Sequence, residues 1–381
     1  MKGGFTILLK KINLRILIPI ILLSIISIVT IYSALTFTSP TLGNLALKQG
    51  IWYILGWILV LILFYLKNDF LYQRTWALYI IGNIMLVLLL FFAEPINNSK
   101  CWFVLPGIGS IQPSEFMKIF LMLTLATMIH NFRSDYDSPT WMEEFIFLIK
   151  TFIIVLIPSV LTFLQPDTGC VIMYLVIYIS MIFVSGVRMR WFLIAGILGL
   201  LILGTSLWLY FYKESAFIKI FGSSIYYRIE RVFHWQEGSG LQLENALAAI
   251  GSAGLFGHGF NETPIYFPES STDFIFAVFA SNFGFIGVIV LLAIILYLDI
   301  QILLLARRKI QDTDKFTIAG ILGMLLFQQI QNIGMTVGLL PITGITLPFV
   351  SYGGSSLLSY MLLVGILLNI SVQKNRTYKY K

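Results

Sequence analysis

Charge is scarce in this chain. Of 381 residues, 11% are Asp, Glu, Lys or Arg and 58% are hydrophobic, which excludes an ordinary soluble domain, whose surface alone carries roughly 25 to 35% charged residues. Cysteine is nearly absent. Cys101 and Cys170 are the only two, too few for a disulfide framework, and two unpaired thiols are preferred to a bridge between them. Histidine is also rare: His130, His234 and His258 stand without neighbouring ligand spacing. Without metal-ligand spacings or a glycine-rich nucleotide loop, a zinc module and a nucleotide-driven pump are excluded.

What the chain has instead is long apolar runs. A helix needs roughly 18 to 20 such residues to cross a bilayer. Ten stretches come near or exceed that: Ile16 to Tyr32, Ile51 to Leu66, Trp76 to Phe92, Phe116 to His130, Phe145 to Phe163, Thr168 to Val184, Trp191 to Tyr212, Asp273 to Leu305, Phe316 to Val337 and Ser351 to Ile370. The eighth is long enough to be tilted or broken. The fourth is short and holds Lys118. They predict an all-α integral membrane protein of about ten transmembrane helices, one polytopic domain over 1–381, with a large extracytoplasmic loop, 213–272, between spans seven and eight. Basic residues precede the first run without a small-residue cleavage site, so it reads as a retained anchor.

Orientation follows from basic flanks. Lys2, Lys10, Lys11 and Arg15, then Lys67 and Arg74, Arg133, Arg188 and Arg190, Arg307, Arg308, Lys309 and Lys315, and the tail with Lys374, Arg376, Lys379 and Lys381 fall on one side. Both termini are therefore expected in the cytoplasm. The net charge of +7 is accounted for by these flanks and their attraction to anionic lipid. No basic stripe with interleaved aromatics remains, which excludes nucleic acid as a partner and leaves membrane lipid.

Polar residues gather in clusters assigned to the outer half. In the run Gly107 to Lys118, containing Gln112, Pro113 suits a first helical turn, and Glu115 and Lys118 lie three apart on one face, an arrangement expected to neutralise itself and face the bundle interior. That pair reads equally as a structural lock or as part of a site. Gln165 to Gly169 forms a tight turn in which Asp167 caps the next helix. The long loop holds Arg228, Arg231, Gly238 to Gln242 and a glycine-rich stretch to Gly259, mixed with aromatics that argue for packing. The run Gly338 to Ser356, preceded by Asn332 and containing Ser351, Gly353, Gly354 and Ser355, is irregular backbone at membrane depth. Such backbone is tolerated where it is buried in protein or lines a polar cavity, and its amides suit an anion-binding nest.

One carboxylate stands apart. Asp273 closes the loop segment Pro268 to Thr272 and opens an apolar run. Capping by Ser271 or Thr272 would place it in the first turn of the eighth span, where the helix end favours its charged form and apolar surroundings favour its protonated form. That opposition suits proton transfer.

The run Gly338 to Ser356, the segment Pro268 to Ala277, the motif Gln112 to Lys118 and the turn Gln165 to Gly169 together resemble the SEDS family of bacterial cell-wall proteins (shape, elongation, division and sporulation), whose members are RodA, FtsW and SpoVE. The lack of a long cytoplasmic extension favours the RodA-like, elongation type. The resemblance implies a peptidoglycan glycosyltransferase of the cytoplasmic membrane that polymerises lipid II onto a lipid-linked glycan strand, partnered by a class B penicillin-binding protein, with Asp273 at the family's catalytic aspartate. As general base Asp273 would activate the acceptor sugar hydroxyl. Lys118, Arg228 and Arg231 are candidates to face the pyrophosphate leaving group, with a divalent cation (Mg or Mn) as a further aid and no other cofactor. Substrate contacts are expected from Gln112, Glu115, Lys118, Arg228, Arg231, Gln242, Ser351, Gly353, Gly354 and Ser355.

Two departures from the family pattern stand out. Cys101 precedes Trp102 where most relatives have arginine, with Lys100 adjacent, and Ser281 and Asn282 stand where relatives commonly carry two glutamates. The alternatives are a lipid II translocator, which should show comparable polar positions in the inner half where few are apparent, and a non-catalytic scaffold of the wall-synthesis complex.

Overall fold

The computed structural model describes residues 13–34, 45–95, 99–105, 109–233, 240–308 and 310–372. Outside them lie Gly107, Ile108, His234, Gly238, Ser239, Lys309 and the basic residues of both tails other than Arg15. Thirteen helices are described: α1 (Leu14–Ala34), α2 (Leu45–Tyr72), α3 (Thr75–Phe92), α4 (Pro113–Asp135), α5 (Trp141–Leu164), α6 (Thr168–Val184), α7 (Met189–Tyr212), α8 (Glu214–Phe221), α9 (Ser223–Phe233), α10 (Gly240–Ser252), α11 (Ile275–Ala306), α12 (Asp312–Thr336) and α13 (Gly354–Val372). A two-stranded antiparallel hairpin, β1 (Phe103–Leu105) and β2 (Gly109–Ile111), sits between α3 and α4.

Ten of these helices, α1 to α7 and α11 to α13, fall on the ten expected spans in order. Eight are long and apolar enough to cross a membrane by length and composition, α6 is a shorter apolar helix, and α4 carries the interior ion pair. The capping signals of α4 and α6 act where the sequence puts them. Pro113 occupies the first turn of α4, Thr140 and Glu143 form a capping box on α5, and the Asp167 carboxylate accepts from Cys170 N at the start of α6.

Helices rich in polar residues are the buried ones, since hydrocarbon will not solvate those groups. α4, α12 and α13 form the centre, with α13 packed on α2, α12 on α6 and α4 on α3. α7 is apolar on all sides, and only Tyr210, near its end, is buried. Such a helix needs no partner in lipid.

The long eighth span is broken, as its length suggested. Gly284 in α11 adopts φ 63°, ψ −165°, a conformation open to glycine alone. The turn 254–259 bridges the break: His258 N and Gly259 N donate to the carbonyls of Ser281 and Asn282, while Phe285 N and Ile286 N donate to Gly254 O and Leu255 O. The half-helix 275–283 is thus held by the preceding connection as well as by its own continuation.

At the end of the bundle away from Asp273, the structure corrects the expectation of few inner polar groups. Tyr72 OH donates to Asp314 Oδ1 (2.8 Å) and meets Thr317 Oγ1 (2.9 Å), and Asn369 Nδ2 donates to Asn68 Oδ1 (3.1 Å). These groups are scattered over α2, α12 and α13, so no local run revealed them. They bond mainly to one another and tie the three helices together.

Candidate active site

The irregular segment 337–353 between α12 and α13 is buried over most of 345–351, and side chains of three helices answer its carbonyls. Ser27 Oγ donates to Val350 O (2.8 Å), Gln49 Nε2 to Ser351 O (3.2 Å), Tyr53 OH to Phe349 O, and Gln331 Nε2 to Pro341 O (2.8 Å). This is the satisfaction that non-helical backbone needs at membrane depth.

The same segment clasps the Asp273 loop. Asn332 Nδ2 donates both to Asp273 O and to Ile345 O, each at 2.8 Å. Ser351 Oγ donates to Thr272 O at 2.7 Å, and Tyr352 N donates to Ser271 O at 2.9 Å. Asp273 is therefore not in the first turn of α11. That helix starts at Ile275 behind Phe274 without a side-chain cap, and Thr272 Oγ1 instead donates to Glu269 Oε2 (2.6 Å). The carboxyl is poised without helix-end help. Burial first, and the neighbouring Glu269 carboxylate second, push Asp273 from the ordinary carboxylate range up to about 7.

Asp273 opens onto a cavity of about 560 Å³ that also exposes Gln112, Glu115, Lys118, Asp167, Gly169, Thr343, Gly353, Gly354 and Ser355. The four motifs that carry the family resemblance thus meet in one chamber. Asp167 Oδ2 accepts from Gln112 Nε2 (2.9 Å) and Ser114 Oγ (3.3 Å). Ser355 Oγ accepts from Gln112 N (2.9 Å) and donates to Ser110 O (3.2 Å), fixing the hairpin against α13. Lys118 Nζ lies 2.7 Å from Glu115 Oε2, which also accepts from Ser359 Oγ (3.1 Å), and the ammonium sits 5.7 Å from the Tyr360 ring centroid. Gly354 lets Trp52 lie against the wall, since a Cβ there would come within 2.6 Å of the indole.

The remaining expected contacts fall elsewhere. Ser351 does not line the chamber and acts through Thr272 O, as described. Gln242 is also outside it, with Nε2 donating to Pro268 O (3.2 Å). Arg228 and Arg231 lie on α9, and their side chains are outside the described ones. Lys118 is the only cation lining the chamber among the described residues. Nor does any group of three or more His, Cys, Asp or Glu able to hold a metal occur among them. The sequence reading missed Trp52, Glu269 and Gln328 as cavity residues. Gln328, on the buried face of α12 one turn before Asn332, was signalled only by being an amide within an apolar span.

Residues 13–376 match the family described as cell cycle protein, that of FtsW, RodA and SpoVE. This chain belongs to the FtsW/RodA/SpoVE family. It is 35% identical to stage V sporulation protein E of Bacillus subtilis over 82% of this chain and 83% of that one. It is 30% identical to a probable peptidoglycan glycosyltransferase FtsW of Lactococcus lactis, covering 96% and 93%. Among solved structures, a chain of a peptidoglycan synthase complex that coordinates polymerization and crosslinking superposes with a TM-score of 0.75 at 25% identity, covering 94% and 97%. Thermus thermophilus RodA superposes at 0.68 with 26% identity, covering 94% and 96%.

Within that family, this member's two departures have different weights. Cys101 lines the chamber, is buried, and donates to Gln165 O (3.0 Å), with burial pushing its thiol up to about 12. Lys100 does not supply the missing charge there, because its Nζ donates to Leu90 O (3.3 Å). Both cysteines are free. Ser281 and Asn282 lie outside the chamber in the splint of α11, where Asn282 accepts from Thr263 Oγ1 (2.8 Å) and donates to Ser33 Oγ, and Ser281 Oγ meets His258 Nδ1 (3.3 Å).

Proposed function

We propose that this chain is a peptidoglycan glycosyltransferase that polymerises lipid II at the outer face of the bacterial cytoplasmic membrane, with both termini in the cytoplasm and a class B penicillin-binding protein as its crosslinking partner. One observation carries the reading: Asp273, raised to about 7, shares a chamber with the Lys118–Glu115 pair at the end of the bundle where the long loop 213–272 emerges. A lipid-linked sugar needs its polyprenyl tail in lipid and its reacting centre at that boundary.

In the reaction Asp273 takes the proton of the acceptor sugar 4-hydroxyl as its oxygen attacks the anomeric carbon of the donor. A carboxylate with a midpoint near 7 is available as a base at neutral pH and still holds the proton it receives. The bond from the anomeric carbon to the pyrophosphate oxygen breaks with its electron pair, and the polyprenyl pyrophosphate leaves. Attack opposite the leaving group inverts the anomeric centre and gives a β-1,4 link, and the pyrophosphate bond supplies the driving force. Lys118 directs positive charge into the chamber, held in place by Glu115, and Arg228 and Arg231 are proposed to add to it from the loop.

The test is polymer formation from lipid II by the purified protein with its transpeptidase partner, beside Asp273→Ala. Glycan strands from the wild type alone are expected. Polymer from both would remove Asp273 from the chemistry, and polymer from neither would favour a translocator or scaffold.

A further inference from the structure

Two oxygens that the mechanism above does not use, both on residues that line the chamber, have no protein hydrogen-bond partner. Among the described residues, Gln328 Oε1 and Thr343 Oγ1 are both buried and both unpaired, although each residue lines the cavity. Gln328 is only 2% exposed. Its amide nitrogen is already engaged, with Nε2 donating to Tyr360 OH at 2.9 Å, which leaves the carbonyl oxygen as the unpaired end. Thr343 lies in the clasp segment, where its neighbours are Gly344, whose Cβ position would be 3.6 Å from Asp273 Oδ2, and Gly169, whose Cβ position would be 3.5 Å from Thr343 O.

Folding does not leave such atoms unpaired without cost, since a buried polar oxygen forgoes its hydration. Both sit on well-packed elements rather than at a loose edge: Gln328 on the central helix α12, Thr343 beside the carboxylate that the clasp fixes. Other polar groups of the chamber, Asp167, Glu115 and Ser355 among them, are bonded to protein, and of the seven such unpaired atoms among the described residues these two are on chamber-lining residues. An acceptor left open beside a chemical centre is an arrangement that rejects ligands lacking the matching hydrogen, because an unsuitable ligand leaves the oxygen unpaired.

We infer that Gln328 and Thr343 are substrate-positioning residues that accept hydrogen bonds from hydroxyl or amide hydrogens of the lipid-linked sugar, seating the donor or acceptor ring between Asp273 and the Lys118–Glu115 pair. The inference rests on the glycosyltransferase reading and adds the recognition of the sugar to it. Thr343 fixes the ring on the Asp273 side. Gln328 fixes it on the Lys118 side, through a carbonyl whose direction Tyr360 sets.

The clean perturbation is Thr343→Val, which keeps shape and removes the oxygen, with Thr343→Ser restoring it; Gln328→Met and Gln328→Glu make the second pair. Steady-state polymerisation of lipid II by the full chain with its transpeptidase partner gives KM and kcat, and thermal unfolding in detergent without substrate gives Tm. Thr343→Val and Gln328→Met are expected to raise KM about tenfold or more while kcat changes less, with an unchanged or raised Tm for Thr343→Val, because an unsatisfied oxygen has been removed. Thr343→Ser is expected to return KM to within about threefold of wild type. A lowered Tm with unchanged KM would assign both residues to structure and overturn the inference. So would wild-type KM in both apolar variants, as when ordered water satisfies the oxygens. If the wild type itself makes no polymer, the glycosyltransferase reading fails first, and the two failures are told apart by that control.

Discussion

Replacing Glu269 by glutamine tests the electrostatics of the site most directly, because it leaves the reacting carboxylate in place and removes its charged neighbour. Asp273 titrates at about 7, with burial the larger cause and Glu269 the second. The rise above an ordinary carboxylate is about three pH units. Glu269 therefore supplies less than half of it, and Glu269→Gln is expected to move the midpoint toward acid by roughly 0.5 to 1.5 pH units. For a base that acts when deprotonated, the wild-type rate should rise through about pH 7 and fall to roughly a tenth of its plateau at pH 6. The variant should retain about a quarter to three quarters of its own plateau at pH 6, by roughly the same arithmetic. The assay is initial polymerisation rate at saturating lipid II from pH 5 to 9, with plateau rates compared separately so that loss of the Thr272 contact to Glu269 is not mistaken for a pH effect. An acid limb that stays at pH 7 in the variant, or a wild-type profile without a limb, would refute the assignment of Asp273 as a base tuned by burial and by Glu269.

The same shift sets a stability trade. The folded-state midpoint lies above the unfolded one, so the folded protein binds more protons between about pH 4 and 7 and loses stability as pH rises through that window; Asp273→Asn should match wild type below it and exceed it above, by up to about 4 kcal/mol, as read from unfolding at pH 4 and pH 8. Glu115→Gln or Lys118→Met alone leaves a buried charge unpaired and is expected to cost about 3 to 5 kcal/mol, while the double variant recovers most of the fold but not polymerisation, measured by Tm and glycan product together. Cys101, with its thiol near 12, should resist alkylation by maleimide at pH 8 in the folded protein and react after denaturation; rapid labelling of the native chain would contradict its burial. Gly284→Ala places a side chain at φ 63° against the backbone of Leu255 and Gly257 and should lower Tm and activity together; a neutral effect would show that the break in α11 can straighten.

The order and number of spans were legible because hydrocarbon imposes one rule on every segment, and the break in the eighth was legible as surplus length. The chamber was legible as four separate motifs, but not as one object. Neither the meeting of Asp167 with Gln112 across more than fifty residues nor the clasp by Asn332 has a local signature. Asp273 was placed two or three residues too far into its helix, since Ser271 or Thr272 looked like a cap, whereas Thr272 bonds to Glu269. Gln328 and the inner cluster of Tyr72, Asp314 and Asn369 went unread for a common reason. Single polar residues spaced along different helices become significant only when packing brings them face to face.

The splint across α11 also bears on how chain length is allowed to vary. Because the turn 254–259 is bonded residue by residue to both sides of the Gly284 break, adding or removing a residue between 253 and 273 would change the register at which the Asp273 half-helix is seated. Among the described residues, 213–233 carry no such indexing, whereas α10 packs on α11 and donates from Gln242 Nε2 to Pro268 O and from Asn245 Nδ2 to Tyr266 O. Insertions, epitope tags or loop exchanges belong in the first part of the connection, and the last part sets the length to be kept when chimeras between relatives are built.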